Sequence, residues 1–337
     1  MKVAFFSTKK YDQDFFEKCN NNNNNNNNNN QHELTFFETS LNENTASLAN
    51  GFDAVCVFVN DTLDRNAIDK LASSGVQVIA LRCAGFNNVD VEAAAKKEIK
   101  VVRVPAYSPE AVAEHATALI LTLNRKTHKA YNRVRENNFS LDKLTGFNLH
   151  GKTVGVIGTG IIGAAFIKIV LGFGCKVTAF DVKPSKELKK MGVSYKSMDE
   201  LLKEADIISL HCPLNEHTHH LMNAGAFEKM KPGAMLINTG RGALIDIPAV
   251  VQALKQGKVG HLGIDVYEQE SDLFFRDLSE TVNQDDDFMR LMSFPNVLIT
   301  GHQGFFTTEA LQQIATVTLN NLSDFENGKS LENEVKA

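Results

Sequence analysis

Three polar side chains in the last third of the chain each follow an apolar run that reads as a strand. The segments are Leu236-Ile-Asn-Thr-Gly-Arg241, Gly263-Ile-Asp265-Val-Tyr-Glu-Gln-Glu270 and Val297-Leu-Ile-Thr-Gly-His302. In an open α/β sheet, ligands bind at the carboxyl ends of strands, so these segments would deliver Arg241, Glu270 and His302 to one edge. Their chemistry is coherent. A guanidinium can hold a carboxylate in a two-bond fork and polarise a neighbouring ketone. An imidazole can hand over a proton near neutral pH. A glutamate bonded to that imidazole would favour its charged form. Together they suit the reduction of a 2-keto acid, whose carbonyl oxygen needs a proton as a hydride reaches the carbon.

A hydride source is written upstream. The apolar run Thr153-Val-Gly-Val-Ile157 leads into Gly158-Thr159-Gly160-Ile161-Ile162-Gly163 and then a helical stretch. In such a strand–turn–helix the first glycine permits the tight turn, the second admits a pyrophosphate, and the third lets helix and strand pack closely. The helix N-terminus offers unpaired N–H groups to the phosphates. The next strand ends in Asp181, about 20 residues on, where a carboxylate accepts from ribose hydroxyls. A 2′-phosphate about 4 Å from that carboxylate would be repelled by up to about 4 kcal/mol per unit charge at a surface-like dielectric. NAD is therefore the expected cofactor, with Lys183 softening the discrimination against NADP.

The elements that must position these groups follow an alternating rhythm. Apolar runs at 54–59, 76–81 and 101–104 read as strands, and 63–73 and 91–97 as helices. A long helix is expected after Ser108-Pro109, with serine as cap and proline in the first turn. Further strands are expected at 153–157, 176–180, 207–210, 234–238, 260–266 and 297–300, and a helix at 309–327. This pattern predicts an α/β protein of two Rossmann-like domains with parallel sheets. The asparagine tract at 20–30 has no apolar side chains to offset its ordering entropy, and is expected to be a solvated loop between a helix ending near Lys18 and a strand at 33–37.

Composition narrows the partners. With 337 residues, a net charge of −5, 43% apolar residues and scattered Lys and Arg, nothing calls for nucleic acid or an anionic membrane. No run approaches the roughly 20 apolar residues that span a bilayer. Five cysteines without a CxxC pair fit a reducing compartment, and a cytoplasmic protein is expected.

At the residues above, the chain closely resembles the D-isomer-specific 2-hydroxyacid dehydrogenases. The likeness runs nearly end to end and is carried by residues 80–90, 104–115, 209–214, 238–246, 265–270 and 301–305. It implies Arg241 as substrate binder, His302 as acid–base and Glu270 as its orienting carboxylate. It implies Asp265, Cys212, Pro213, Thr239 and Gly240 beside the cofactor, with the glycine turn (Ile161 and Ile162 included) and Asp181. A loop holding Ala84 and Gly85 would bind the substrate carboxylate through its amides. Tyr107 and Phe305 would narrow the pocket to a methyl group. The implied reaction is reduction of pyruvate to D-lactate with NADH. The resemblance also implies a discontinuous substrate domain, residues 1–106 and 302–337, with the insert at 20–30, around a cofactor domain at 107–301. It further implies a homodimer or homotetramer. Ile161 departs from the basic or polar residue common in relatives.

Two other readings compete: the same chemistry on a bulkier 2-keto acid, and a dinucleotide-sensing module that has lost catalysis. All three catalytic side chains are present, which favours an enzyme. The cluster His217-Thr-His-His220 has no cysteine or carboxylate at ligand spacing, so no metal is expected and these read as surface histidines. His115 reads as a packed or capping residue, Arg82 as structural, and Asp285-Asp-Asp287 as a solvated face or helix start.

Overall fold

Short apolar runs flanked by helical patterns become parallel strands whose side chains are buried on both faces, as crossover helices require. The structure is a computed structural model and describes residues 1–25 and 31–336. The chain divides into two units, Met1–Ser108 with Phe305–Ala337, and Pro109–Gly304.

The first unit alternates β1 (Lys2–Phe5), α1 (Lys10–Asn25), β2 (Glu33–Phe36), β3 (Ala54–Val57), α2 (Arg65–Ser73), β4 (Val78–Leu81), α3 (Val91–Lys96) and β5 (Lys100–Arg103). Among the described residues its strands pair in the order β2-β1-β3-β4-β5, all parallel. Asp64 and Asp90 start α2 and α3 by accepting from the amides of Ala67 and Ala93 at 2.9 and 2.8 Å. Such caps each contribute about 1 kcal/mol.

The second unit opens with α4 (Pro109–Arg125) and α5 (Thr127–Arg135), then β6 (Thr153–Ile157), α6 (Ile161–Gly172), β7 (Lys176–Phe180), α7 (Lys186–Lys190), β8 (Ser194–Tyr195) and α8 (Met198–Glu204). It continues with β9 (Ile207–Leu210), α9 (Ala224–Lys229), β10 (Ala234–Asn238), α10 (Ile247–Lys255), β11 (Val259–Ile264), α11 (Asp286–Met292) and β12 (Val297–Ile299). Strand order is β12-β11-β10-β9-β6-β7-β8. The order reverses between β9 and β6, the position where such sheets open a ligand crevice. The chain then returns to the first unit through α12 (Thr308–Glu326), which packs on α1.

One expectation changes. The helix α1 continues to Asn25 instead of ending near Lys18, so the first part of the asparagine tract is helical. The buried Asn20 carboxamide explains how: its Nδ2 donates to the carbonyl of His32 at 2.9 Å, and its Oδ1 accepts from the amide of His32 at 3.1 Å. Residues 26–30 of the expected loop lie outside the described residues. The division between units falls after Ser108 and after Gly304. His302 and Gly304 stay with the second unit because their amides bond to Asp265, at 2.8 Å to its carbonyl and 2.7 Å to its carboxylate. Finally, α5 has no counterpart in the sequence reading. It is strongly polar on average and buries none of its residues fully, so no core-facing run marked it.

Candidate active site

The glycine turn is built as its spacing requires. Gly158 takes φ +91°, and a Cβ there would stand 2.5 Å from the amide nitrogen of Cys212. The ends of β6 and β9 thus touch at the switch point, and Pro213 continues outward, exposed. A Cβ on Gly163 would meet the carbonyl oxygen of Gly158 at 2.1 Å. Gly160 differs: a Cβ there would meet nothing within 4 Å, so its face is open. It precedes the first turn of α6, which carries the exposed Ile161 and half-buried Ile162.

Asp181 follows β7. Its carboxylate accepts from the Thr159 amide at 2.6 Å, the Thr159 hydroxyl at 3.0 Å and the Lys183 amide at 2.8 Å. Burial opposes its charge, but the amides of Lys183 and Thr159 outweigh it and hold the carboxyl below the usual range. The residue is a fixed anion tied to the glycine turn. Burial pushes the Cys212 thiol up to about 11, so it is a neutral lining group and not a nucleophile.

After β10 the buried Asn238 shapes the next turn. Its Oδ1 accepts from the Gly240 amide at 3.0 Å and its Nδ2 donates to the Arg241 carbonyl at 2.9 Å. Arg241 is half-buried and donates from Nη1 to the Gly240 carbonyl at 2.8 Å. A Cβ on Gly242 would lie 2.1 Å from the carbonyl carbon of Tyr267, so the arginine's segment presses directly on the strand end that carries Glu270.

That strand end delivers a rigid pair. Glu270 Oε1 faces His302 Nδ1 at 2.8 Å, and Glu270 Oε2 accepts from the Tyr267 amide at 3.0 Å. His302 sits at φ +53°, a left-handed conformation costing on the order of 1–3 kcal/mol for a non-glycine residue. Its amide bond to the Asp265 carbonyl helps hold it there, and the Phe275 ring lies over the imidazole with centroids 5.8 Å apart.

Asp265 is only 1% exposed. Its carboxylate accepts from the Thr300 hydroxyl at 2.5 Å and the amides of Gln303 and Gly304 at 2.9 and 2.7 Å, and lies 3.2 Å from His115 Nε2. Burial opposes its charge, yet His115 and these donors keep the carboxyl below the usual range. Asp265, which the resemblance sets beside the nicotinamide, also anchors the turn that presents His302.

In the first unit, the segment after β4 carries Ala84 and Gly85. Arg103 donates to the Ala84 carbonyl at 2.7 Å, and its guanidinium lies 5.1 Å from the Phe86 ring centroid. Tyr107 and the buried Phe305 meet edge-on, with centroids 6.3 Å apart. Sequence reasoning missed Phe58, which follows β3 and lies 5.9 Å from Phe305. Its only signal was an aromatic residue at a strand's carboxyl end. It also undervalued His115, whose Nε2 is 3.0 Å from the Thr300 hydroxyl as well as close to Asp265.

The residues fit a dinucleotide. The open face of Gly160, the helix N-terminus beside it and the fixed Asp181 anion are three of its requirements. A fourth sign is Thr239, whose hydroxyl oxygen is buried without a hydrogen-bond partner.

The model of the D-isomer specific 2-hydroxyacid dehydrogenase NAD binding domain matches residues 117–304. The chain belongs to this family. It is 53% identical to D-lactate dehydrogenase of Escherichia coli over 99% of this chain and 100% of that protein. Its structure resembles the apo structure of the Escherichia coli enzyme, with a TM-score of 0.89 and 50% identity over 99% of this chain and 100% of the other. It also resembles a structure of the pyruvate reductase of Chlamydomonas reinhardtii, with a TM-score of 0.92 and 45% identity over 99% and 98% of the two chains. The two parallel sheets agree with the α/β class expected from the sequence, and family membership gives the protein an NAD-binding domain and a dehydrogenase function. Among the described residues no helix is long and apolar enough to cross a membrane.

Proposed function

We propose that this protein reduces pyruvate to D-lactate with NADH, using Arg241 to bind substrate and His302 to supply the proton. The observation that carries this reading is the 2.8 Å pair of His302 and Glu270 at adjacent strand ends, with Arg241 following the next strand in the same sheet. The roughly half-identical relatives named above support the choice of substrate.

NADH, when bound, would supply the hydride. Gly158, Gly160, Ile161, Ile162 and Gly163 would hold its phosphates, Asp181 its adenosine ribose, and Cys212, Pro213, Thr239, Gly240 and Asp265 would line the remainder. Asp265 also fixes the turn at residues 300–304. Arg241 grips the carboxylate through a guanidinium fork and draws charge from the ketone. With Nδ1 of His302 committed to Glu270, Nε2 is the nitrogen that serves the substrate oxygen. Glu270 holds the ring plane and stabilises the imidazolium before its proton leaves. Ala84 and Gly85 offer amides to the carboxylate, and Tyr107, Phe305 and Phe58 supply apolar bulk suited to a methyl group. The first unit is then the substrate domain and the second the cofactor domain.

A second copy of the chain is the expected partner, as homodimer or homotetramer. The exposed faces of Tyr131 and Val134 on α5, with Phe139 at 70% and Leu141 at 80% exposure, form an apolar arm on the second unit that a protein surface would cover. A cytoplasmic protein is proposed on the five scattered cysteines without a CxxC pair, which suit a reducing compartment.

The direct test compares His302→Ala and Glu270→Gln with the parent chain in NADH oxidation driven by pyruvate. Loss of the acid is expected to lower kcat by about 100- to 10,000-fold with a small change in KM. Glu270→Gln keeps a hydrogen bond but loses the charge, and a fall of about tenfold or more in kcat is expected. Unchanged kcat in both would remove the assigned roles.

A further inference from the structure

The histidine run that the sequence analysis set aside lacked a carboxylate, and the fold supplies one. Glu268, 48 residues beyond His220, lies with its Oε2 3.0 Å from His220 Nε2. Its other oxygen, Oε1, is 3.7 Å from His219 Nε2. The two imidazoles stack with centroids 3.9 Å apart and planes 27° off parallel, so both present Nε2 to the same carboxylate. One donor atom from each of the three residues lies within 4.8 Å of the others. In a tetrahedral zinc site with bonds of about 2.0–2.1 Å, neighbouring donors stand about 3.3 Å apart. Splaying the two rings so that their Nε2 lone pairs converge would close the set around an ion.

The backbone holds both arms of the set. The amide of His220 donates to the Ala243 carbonyl at 2.8 Å, and the Asn223 carboxamide donates to the His220 carbonyl at 3.1 Å. His220 itself takes φ +49°. Opposite, Gly242 packs so closely on the peptide joining Tyr267 to Glu268 that a Cβ would stand 2.2 Å from the Glu268 amide nitrogen. The donors thus come from two segments locked to one another through residues 242–243.

We propose that His219, His220 and Glu268 form a binding site for a borderline divalent transition metal, zinc being the best match. Two imidazoles and one carboxylate suit zinc, nickel or copper, and not the hard, oxygen-seeking magnesium or calcium. His219 is exposed and the other two half-buried, which leaves solvent at the fourth position. The bound ion would cross-link the segment after β9 to the segment after β11. The latter carries Glu270, and Gly242 beside it follows Arg241.

The test uses the full chain stripped of metal with a chelator. Zinc is titrated against a chromophoric competitor, and cobalt(II) is added separately to read its visible absorption. One tight zinc site, a four-coordinate cobalt band and a rise in Tm on adding zinc are expected, since a ligand bound only by the folded state stabilises it. Magnesium is expected to compete with neither ion. Losing even a partner of a metal ligand costs ten- to a hundredfold in affinity, so Glu268→Gln and the double variant His219→Ala/His220→Ala are each expected to weaken zinc by at least about a hundredfold. His302→Ala, as a control for zinc at the proposed acid–base imidazole, is expected to bind like the parent. No cobalt band in the parent chain would overturn the site without reference to any variant. So would parent-like zinc affinity in Glu268→Gln, or loss of the tight site in His302→Ala.

Discussion

At the scale of single residues, the account rests on geometry that a lysine or an amide cannot reproduce. In the proposed reaction Arg241 offers a planar fork to a carboxylate, whereas an ammonium at the same position is a point charge. Charge-assisted hydrogen bonds contribute about 1.5–3 kcal/mol. Arg241→Lys is therefore expected to lower kcat/KM for pyruvate roughly ten- to a hundredfold, mostly through KM. Steady-state kinetics check this, and an unchanged KM would deny Arg241 its carboxylate. Asp265 anchors the turn that presents His302. Its carboxyl is held below the usual range, so it contributes stability above the unfolded value of about 3.9 that is lost as pH falls through the lower folded value. Asp265→Asn keeps the shape but turns one carboxylate oxygen into an NH2 facing donors. A loss of about 2–3 kcal/mol is expected at neutral pH. Thermal melts from pH 7 down to about pH 3 should show the gap between parent and variant narrowing below about pH 4.

At the scale of elements, the glycine turn separates packing from binding. Gly163→Ala pushes a methyl against the backbone of Gly158 and is expected to destabilise the chain by about 1–3 kcal/mol. Gly160→Ala meets no protein atom, so it is expected to leave Tm unchanged while weakening NADH binding by tenfold or more, about 1.4 kcal/mol. Melting curves paired with NADH titration read both, and an unaltered affinity in Gly160→Ala would place the phosphates elsewhere. These elements were legible in the sequence because strand periodicity, glycine spacing and capping residues are local signals. The strands β6, β7, β9 and β10 fall at the expected bounds and β11 and β12 within two residues of theirs, so Arg241, Glu270 and His302 follow β10, β11 and β12. What escaped is set by contacts distant in sequence. The helical start of the asparagine tract depends on Asn20 meeting His32. The support of His302 depends on His115 and Asp265, 150 residues apart in the numbering. Glu268 reaches His220 because β9 and β11 flank β10, whose following residues 242–243 hold both segments.

At the scale of the whole molecule, the exposed arm after α5 predicts self-association. Replacing Phe139 and Leu141 together by Asp is expected to shift the chain to monomer in analytical ultracentrifugation while leaving each unit folded. An unchanged sedimentation coefficient would put the contact surface elsewhere. Family membership fixes the class of chemistry, and the proposal gives its steps to the side chains at the strand ends. The most direct measurement is NADH-driven turnover across pyruvate, 2-ketoisocaproate and phenylpyruvate, with chiral analysis of the hydroxy acid formed. The account predicts that pyruvate has the highest kcat/KM and that D-lactate is the product. Formation of L-lactate, or a hundredfold preference for a bulky acid, would contradict it.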